Sequence, residues 1–395
     1  EFLIRAVMLQ RLFIFLLIFL ILPDIYLYLR FIVHLTARRW LKILYWLPTF
    51  LLSTGLLYLV YFSNNAFAER HTQDIGWFSI FFFLFTAPKL LLFLCTVIGI
   101  PFHKWLRWPR TPFICTGLTL AVVSIVMIIY GSFIGRTQFD VKEVTYSSSK
   151  LPSSFDGYRI VQLSDIHIGS WQGNASAIQN LVNLVNEQHP DLIVFTGDLV
   201  NHRAIELNDF QHILAGLKAK DGVYSILGNH DYGPYFRWKN KQEQDDNLSD
   251  LQQRQAAMGW KLLNNSHTIL IQGNDSIALI GVENEGEPPF SQYADLPKAM
   301  QGTEGMFQIL LSHNPTHWRR EVLPESDIDL MLAGHTHAMQ LKLGNYSPSS
   351  YIYPEWSGMY LEGTRGLYVN VGIGYVGLPF RFGAWPEITV LTLRR

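Results

Sequence analysis

Five short polar clusters hold the residues of this chain that could do chemistry. They read Ser164-Asp165-Ile166-His167, Thr196-Gly197-Asp198, Gly228-Asn229-His230-Asp231, Ser312-His313-Asn314-Pro315 and Gly334-His335-Thr336-His337. Each supplies carboxylate, imidazole or amide groups, and none supplies a thiolate. A carboxylate brings negative charge and can bridge two cations, while neutral imidazole binds borderline first-row metals well. The mixed oxygen and nitrogen set points to Mn, Fe or Zn rather than to an all-oxygen Ca or Mg cage. Asp-x-His and His-x-His each place two side chains on one side of an extended segment, so both can converge on one ion. Any one cluster alone is an ordinary turn. Five in one stretch, each at the end of an apolar run, are hard to explain as turns.

The runs that must position these clusters alternate with helical periods, as in a layered α/β or α+β domain. Strands are expected at Tyr158–Leu163, Leu192–Thr196, Val223–Leu227, Ile277–Val282, Phe307–Leu311, Leu330–Ala333, Leu367–Val371 and Ile388–Leu393. Helices are expected at Ala175–Glu187 and Leu207–Leu217, and Lys239–Asp250 reads as a surface loop or helix start. Ligand sites in open sheets gather at strand C-termini, which is where the clusters fall.

Residues 1–136 read differently. Four apolar runs, Leu12–Leu29, Ile43–Phe62, Ile75–Ile100 and Phe113–Phe133, are each close to or above the length that crosses a bilayer core, about 18–20 residues. A cleaved leader would account for one such run, not four. The expected organisation is a membrane region over 1–136 and a catalytic domain over 137–395. Charge divides the same way: 12 Lys+Arg against 4 Asp+Glu in the first part, 19 against 28 in the second. The acidic second part lacks the basic face that nucleic acid needs, so no nucleic-acid partner is expected. The chain has only two cysteines, Cys95 and Cys115, which excludes a disulfide scaffold.

The connections between the runs predict orientation. The first holds Arg30, Arg38, Arg39 and Lys42, and the third holds Lys104, Arg107 and Arg110, with no acid in either. The second, Ser63–Asp74, holds Arg70 against Glu69 and Asp74. The positive-inside rule puts the first and third in the cytoplasm. The catalytic domain is then extracytoplasmic, periplasmic in a cell with an inner membrane, although Arg5 and Arg11 count mildly against this. Asp24 and Lys89 lie within apolar runs and read as incidental charges that snorkel or pair.

In order and spacing the clusters resemble the calcineurin-like metallophosphoesterases, whose pattern is D-x-H, G-D, G-N-H-[DE], a lone His, then G-H-x-H. The match spans residues 157–340. The tail Gly372-Ile-Gly-Tyr-Val-Gly-Leu-Pro-Phe-Arg381, then Pro386-Glu387, is similar to the membrane-associated bacterial branch, many of whose members carry N-terminal membrane segments. The resemblance implies an α+β chain: a four-helix transmembrane bundle, then a double β-sheet sandwich flanked by helices. It implies two divalent ions. One would take Asp165, His167, Asp198 and His337, the other Asp198, Asn229, His313 and His335, with Asp198 bridging. One departure stands out: many members of the branch follow G-H-T-H with Gly-Gly-Gln, and this chain has Ala338-Met339-Gln340.

The expected activity is hydrolysis of a phosphodiester, phosphomonoester or pyrophosphate bond by direct attack of a hydroxide held between two cations. The expected partners are a phosphate-ester substrate, for which the anchor suggests a lipid-linked form, and the bilayer itself. His230 would face the phosphate and protonate the leaving oxygen, with Asp231 orienting it. Arg381 and Arg365 are candidate phosphate contacts, because guanidinium matches phosphate geometry. His202 and Tyr232 are candidate pocket residues. His189, His212, His267 and His317 read as ordinary surface or turn residues. The competing reading is a membrane sensor or scaffold that binds metal on a non-catalytic phosphoesterase fold.

Overall fold

A computed structural model describes residues 2–62, 72–288 and 290–395. Glu69 and Arg70 of the second connection lie outside the described residues. The chain divides into two compact units. One holds the long N-terminal helices with Gly377–Pro379, and the other is Ile134–Val376 with Phe380–Arg395.

Four helices among the described residues are long and apolar enough to cross a membrane: Phe13–Leu35, Arg39–Leu59, Asp74–Leu106 and Thr111–Thr137. They overlap all four apolar runs and extend past most of their ends, because backbone hydrogen bonding continues into the polar flanks. Asp24 is fully buried among them. Its carboxylate lies 2.8 Å from Lys89 Nζ and accepts from the hydroxyls of Thr49 and Tyr45. A charge in hydrocarbon needs such partners. The two charges that read as incidental are thus one ion pair, linking the first helix to the second and third.

The second unit is built on two six-stranded sheets. The first contains β1 (Asp140–Ser147), β2 (Arg159–Leu163), β3 (Leu192–Phe195), β4 (Val223–Ser225), β5 (Trp260–Leu262) and β12 (Glu387–Arg394), ordered β1-β12-β2-β3-β4-β5. The second contains β6 (Ser266–Gln272), β7 (Asp275–Gly281), β8 (Phe307–Leu311), β9 (Leu330–Ala333), β10 (Gly358–Glu362) and β11 (Arg365–Val369), ordered β10-β11-β9-β8-β7-β6. Strands β2 to β5 are parallel, as are β7, β8, β9 and β11.

Side-chain alternation builds three apolar layers from these strands. Ile160, Leu192, Val194, Ile309, Leu330 and Leu332 meet between the sheets. Val161, Leu163, Ile193 and Phe195 face outward onto helix Ala175–Glu187 through Ile178, Leu181 and Val185. Leu310, Met331, Leu367 and Val369 face outward on the other side, onto Trp318 and Val322. The buried parallel strands therefore read as continuous apolar runs.

Some elements differ from expectation. The helix expected at Leu207–Leu217 is two short turns, Ala204–Leu207 and Gln211–Leu214, parted at Asn208-Asp209. Lys241–Ala257 is a full helix, started by the Asn240 side chain accepting from the Glu243 backbone N–H at 2.9 Å. Strands β1, β5, β6 and β10 lack the apolar runs that marked the others.

Breaking the Asp24–Lys89 pair should loosen the bundle. Lys89→Met leaves the buried carboxylate without its cation and should cost up to about 3 kcal/mol, the low end for buried pairs because Lys89 is 21% exposed. The check is the unfolding midpoint of the full chain in detergent. Adding Asp24→Asn should restore most of the loss. Equal midpoints for Lys89→Met and wild type would contradict the pair's role.

Candidate metal centre

All five clusters follow the C-terminal ends of parallel strands. Asp165 and His167 follow β2, Asp198 follows β3, and Asn229 and His230 follow β4. His313 follows β8, and His335 and His337 follow β9. The two sheets place these ends side by side. The glycines are needed for that approach: a Cβ on Gly334 would strike Ser164 and Asp165, and one on Gly228 would strike Asp198.

Two groups of donor atoms result. In the first, His337 Nε2 lies 3.2 Å from both His167 Nε2 and Asp165 Oδ1. In the second, His313 Nε2 lies 3.2 Å from Asn229 Oδ1 and 3.3 Å from His335 Nδ1. Asp198 Oδ2 belongs to both, at 3.6 Å from His167 Nε2 and 3.3 Å from His313 Nε2. Ring nitrogens facing each other this closely repel unless a proton or a cation stands between them. Donors around a tetrahedral ion with bonds of about 2.0–2.1 Å stand about 3.3–3.4 Å apart, so the spacing fits a divalent cation in each group. The outer nitrogens of His313 and His335 are held as those of metal-binding imidazoles usually are. His313 Nδ1 donates to the Thr196 carbonyl at 2.8 Å, and His335 Nε2 meets the Tyr353 hydroxyl at 3.0 Å.

Electrostatics follow from burial. For Asp198, desolvation would raise the carboxyl, but His313 and His230 hold it well below the usual carboxylate range. Asp165 is likewise low: burial opposes, and His337 outweighs it. Burial pulls His335 down to about 3, helped by His313, and pulls His167 well below its ordinary value, helped by His230. Both imidazoles are therefore neutral at pH 7. His313 differs: burial works against its charge, but the Asp198 carboxylate pushes it up to about 9.

His230 is half-buried beside these groups, its ring 4.7 Å from that of His167. Its Nδ1 donates to the Asn201 carbonyl at 2.8 Å, which leaves Nε2 free. Asp231 does not orient that ring as expected. Its carboxylate accepts the backbone N–H groups of Asp198, Leu199, Val200 and Gly228 at 2.8–3.2 Å, fastening the loop after β3 to the loop after β4. Burial pushes Asp231 up to about 7, and the Asp198 charge adds to this.

Other expected residues fall elsewhere. Arg365 sits at the N-terminal end of β11, opposite the site, and donates to the carbonyls of Val322, Leu323 and Ile328. It is a structural arginine, not a phosphate contact. Arg381 is fully buried, with its donors taken by the carbonyls of Val371, Gly374 and Ala384, and its Nη2 lies 3.1 Å behind His337 Nδ1. It packs behind His337 and has no face for substrate. His202 does approach His230, at 6.4 Å between rings, and burial pulls it down to about 4. Tyr232 points away, bonding Glu283 at 3.1 Å under Tyr293. His317 is buried between Ser312 and Glu321, not on the surface. Tyr235, whose hydroxyl bonds Asn229 at 3.0 Å and whose ring lies 4.4 Å from His230, was not anticipated, and neither were Tyr353 and Phe290 beside His335. Isolated aromatic residues in loops give no spacing signal.

The chain is 31% identical to the uncharacterized metallophosphoesterase YkuE of Bacillus subtilis over 281 residues, covering 67% of this chain and 89% of that protein. The profile described as calcineurin-like phosphoesterase matches residues 158–339. The chain belongs to the calcineurin-like phosphoesterase family. Residues 10–136 match a second profile, described as the transmembrane domain of a probable calcineurin-like phosphoesterase. The chain is also 32% identical over 284 residues to the transmembrane protein with metallophosphoesterase domain of Danio rerio, covering 69% of this chain and 62% of that protein. The protein of the same description from Bos taurus is 29% identical over 328 residues, covering 77% of this chain and 71% of that protein. This phosphoesterase thus joins the family's fold to a membrane region, with clusters able to hold divalent metal.

The Ala338-Met339 departure leaves a mark on the backbone. His337, Ala338, Met339 and Gln340 all have φ between 45° and 60°. Left-handed backbone costs a residue with a Cβ roughly 1–2 kcal/mol, which glycine avoids. Met339 is 41% exposed. Met339→Gly should therefore raise stability by about 1 kcal/mol in thermal unfolding of the full chain, and a loss would contradict the strain. A second test concerns pH. A cation must displace the His313 proton, so affinity for Mn²⁺ should rise with pH by up to about tenfold per unit below pH 9. Calorimetry in buffers of different ionisation enthalpy should show proton release. A flat affinity between pH 6 and 8 would contradict it.

Proposed function

We propose that this chain is a membrane-anchored hydrolase of phosphoric esters or anhydrides that works with two divalent ions. Residues 137–395 are proposed as the catalytic domain and residues 1–136 as its membrane region. The observation that supports this reading best is the pair of donor groups sharing Asp198 Oδ2. Asp165, His167, Asp198 and His337 would hold one ion, and Asp198, Asn229, His313 and His335 the other. Mn, Fe and Zn suit these nitrogen and oxygen donors. When bound, such a pair supplies Lewis acidity toward phosphoryl oxygens and activates water near neutral pH.

The chain's own residues supply the rest. His230 Nε2, free because Nδ1 is committed to Asn201, would give a proton to the leaving oxygen. Asn201 fixes that ring's direction, and Glu206 in turn fixes Asn201 by accepting its backbone N–H at 2.7 Å. Tyr235, against His230 and 48% exposed, would flank the leaving group. Asp231 is a positioning residue that keeps Asp198 and Asn229 in register. The anchor favours a substrate at the bilayer, such as a lipid-linked phosphodiester or pyrophosphate. The cations of the first and third connections favour an extracytoplasmic catalytic domain, periplasmic where an inner membrane exists.

The test is hydrolysis of bis(p-nitrophenyl) phosphate and p-nitrophenyl phosphate by the full chain in detergent, with bound metal quantified. His230→Ala should keep its metal and lose about 10²–10⁴-fold in kcat. Asp198→Ala should lose both metal and turnover. Loss of metal in His230→Ala would make His230 a ligand and overturn its assigned role. Full metal without any turnover in wild type would favour the non-catalytic reading.

A further inference from the structure

The membrane bundle contains a cavity that the proposed phosphoesterase chemistry does not use. It is lined by Tyr26, Arg30, Thr96, Ile100, Arg110 and Ile114, from the first, third and fourth long helices and their connections. Arg30 belongs to the first connection and Arg110 to the third, so both connections lie at one end of the bundle. Neither guanidinium has a carboxylate partner among the described residues. Beside them that end carries Arg38, Arg39, Lys42, Lys104 and Arg107, with no acid between Arg30 and Lys42 or between Lys104 and Arg110.

Depth can be read from the aromatic residues. Trp40, Trp105 and Trp108 sit next to these cations and are 59%, 76% and 54% exposed. Tryptophan exposed at the end of membrane helices marks the interface, where the ring body is apolar and the N–H reaches water. The cavity therefore opens at headgroup level. Its two arginines can fork onto a phosphate, while Ile100 and Ile114 offer an apolar wall to an acyl chain. Basic pockets between transmembrane helices are suited to anionic lipid headgroups. The hydroxyl of Thr96 is occupied by the carbonyls of Leu92 and Phe93, so recognition falls to charge rather than to that hydroxyl.

We propose that this cavity binds the phosphate headgroup of an anionic membrane lipid, clamped between Arg30 and Arg110. This proposal does not depend on the reading of the metal centre's chemistry.

The test is native mass spectrometry of the full chain released from detergent with di-octanoyl phosphatidylglycerol, di-octanoyl phosphatidylcholine or inorganic phosphate. Wild type should retain phosphatidylglycerol at least tenfold more tightly than phosphatidylcholine, and inorganic phosphate at equal concentration should not displace it. The double variant Arg30→Gln/Arg110→Gln should lose about tenfold in that affinity. Arg38→Gln/Arg107→Gln, which removes the same charge outside the cavity, should lose little. Equal losses in the two double variants would mean that only diffuse charge is read, which overturns the site. Displacement by inorganic phosphate, or no preference over phosphatidylcholine in wild type, would overturn the lipid assignment without needing any variant.

Discussion

Asp198 brings a carboxylate to a place water barely reaches, at 2% exposure. An uncompensated charge there would cost several kcal/mol. The surroundings compensate it from every side. The His230 backbone N–H donates to Oδ1, while the imidazoles of His167 and His313 face Oδ2. Those groups come from both sheets, so the sandwich must bring β2, β3, β4, β8 and β9 to one edge. Asp231 then locks the β3 and β4 loops together through four backbone N–H groups. Change the position of this one carboxylate and both donor groups lose a member.

The same constraint explains where the backbone departs from its relaxed shapes. Asp165, His167, Asp198, His335 and His337 all adopt positive φ. A strand that continued straight would carry its next side chains along the sheet and away from its neighbours. The left-handed step turns each chain sharply after its strand and aims the donor across the gap. Such conformations in residues with a Cβ persist only where the surroundings hold them, and they gather at functional sites. Hydrogen bonds hold them here, among them Asp165 accepting the His335 N–H at 3.0 Å. The following residues, Ala338 and Met339, keep that turn without glycine's freedom, which shows how strongly the site dictates the path.

Much of this was legible in the residues. Helix Ala175–Glu187 and strands β8 and β9 fall where apolar periodicity put them, because buried parallel strands and an amphipathic helix leave clear patterns. The polar clusters announced a site because carboxylate and imidazole rarely follow buried strands five times over. Edge strands β1 and β10 were silent, since half their side chains face solvent and mix polar with apolar types. Side-chain destinations were silent too. Nothing in the sequence told that the guanidinium of Arg381 turns inward beneath His337 while that of Arg365 braces the far end of its sheet. Nor did spacing reveal that Asp24 and Lys89, 65 residues apart, are partners.

Asp198 is proposed to serve both donor groups, and electron paramagnetic resonance of the Mn²⁺-loaded full chain tests that role most directly. Two ions per chain with exchange-coupled spectra, collapsing in Asp198→Ala, are the predicted result. A single ion per chain, or two with uncoupled spectra, would contradict the shared Asp198 bridge.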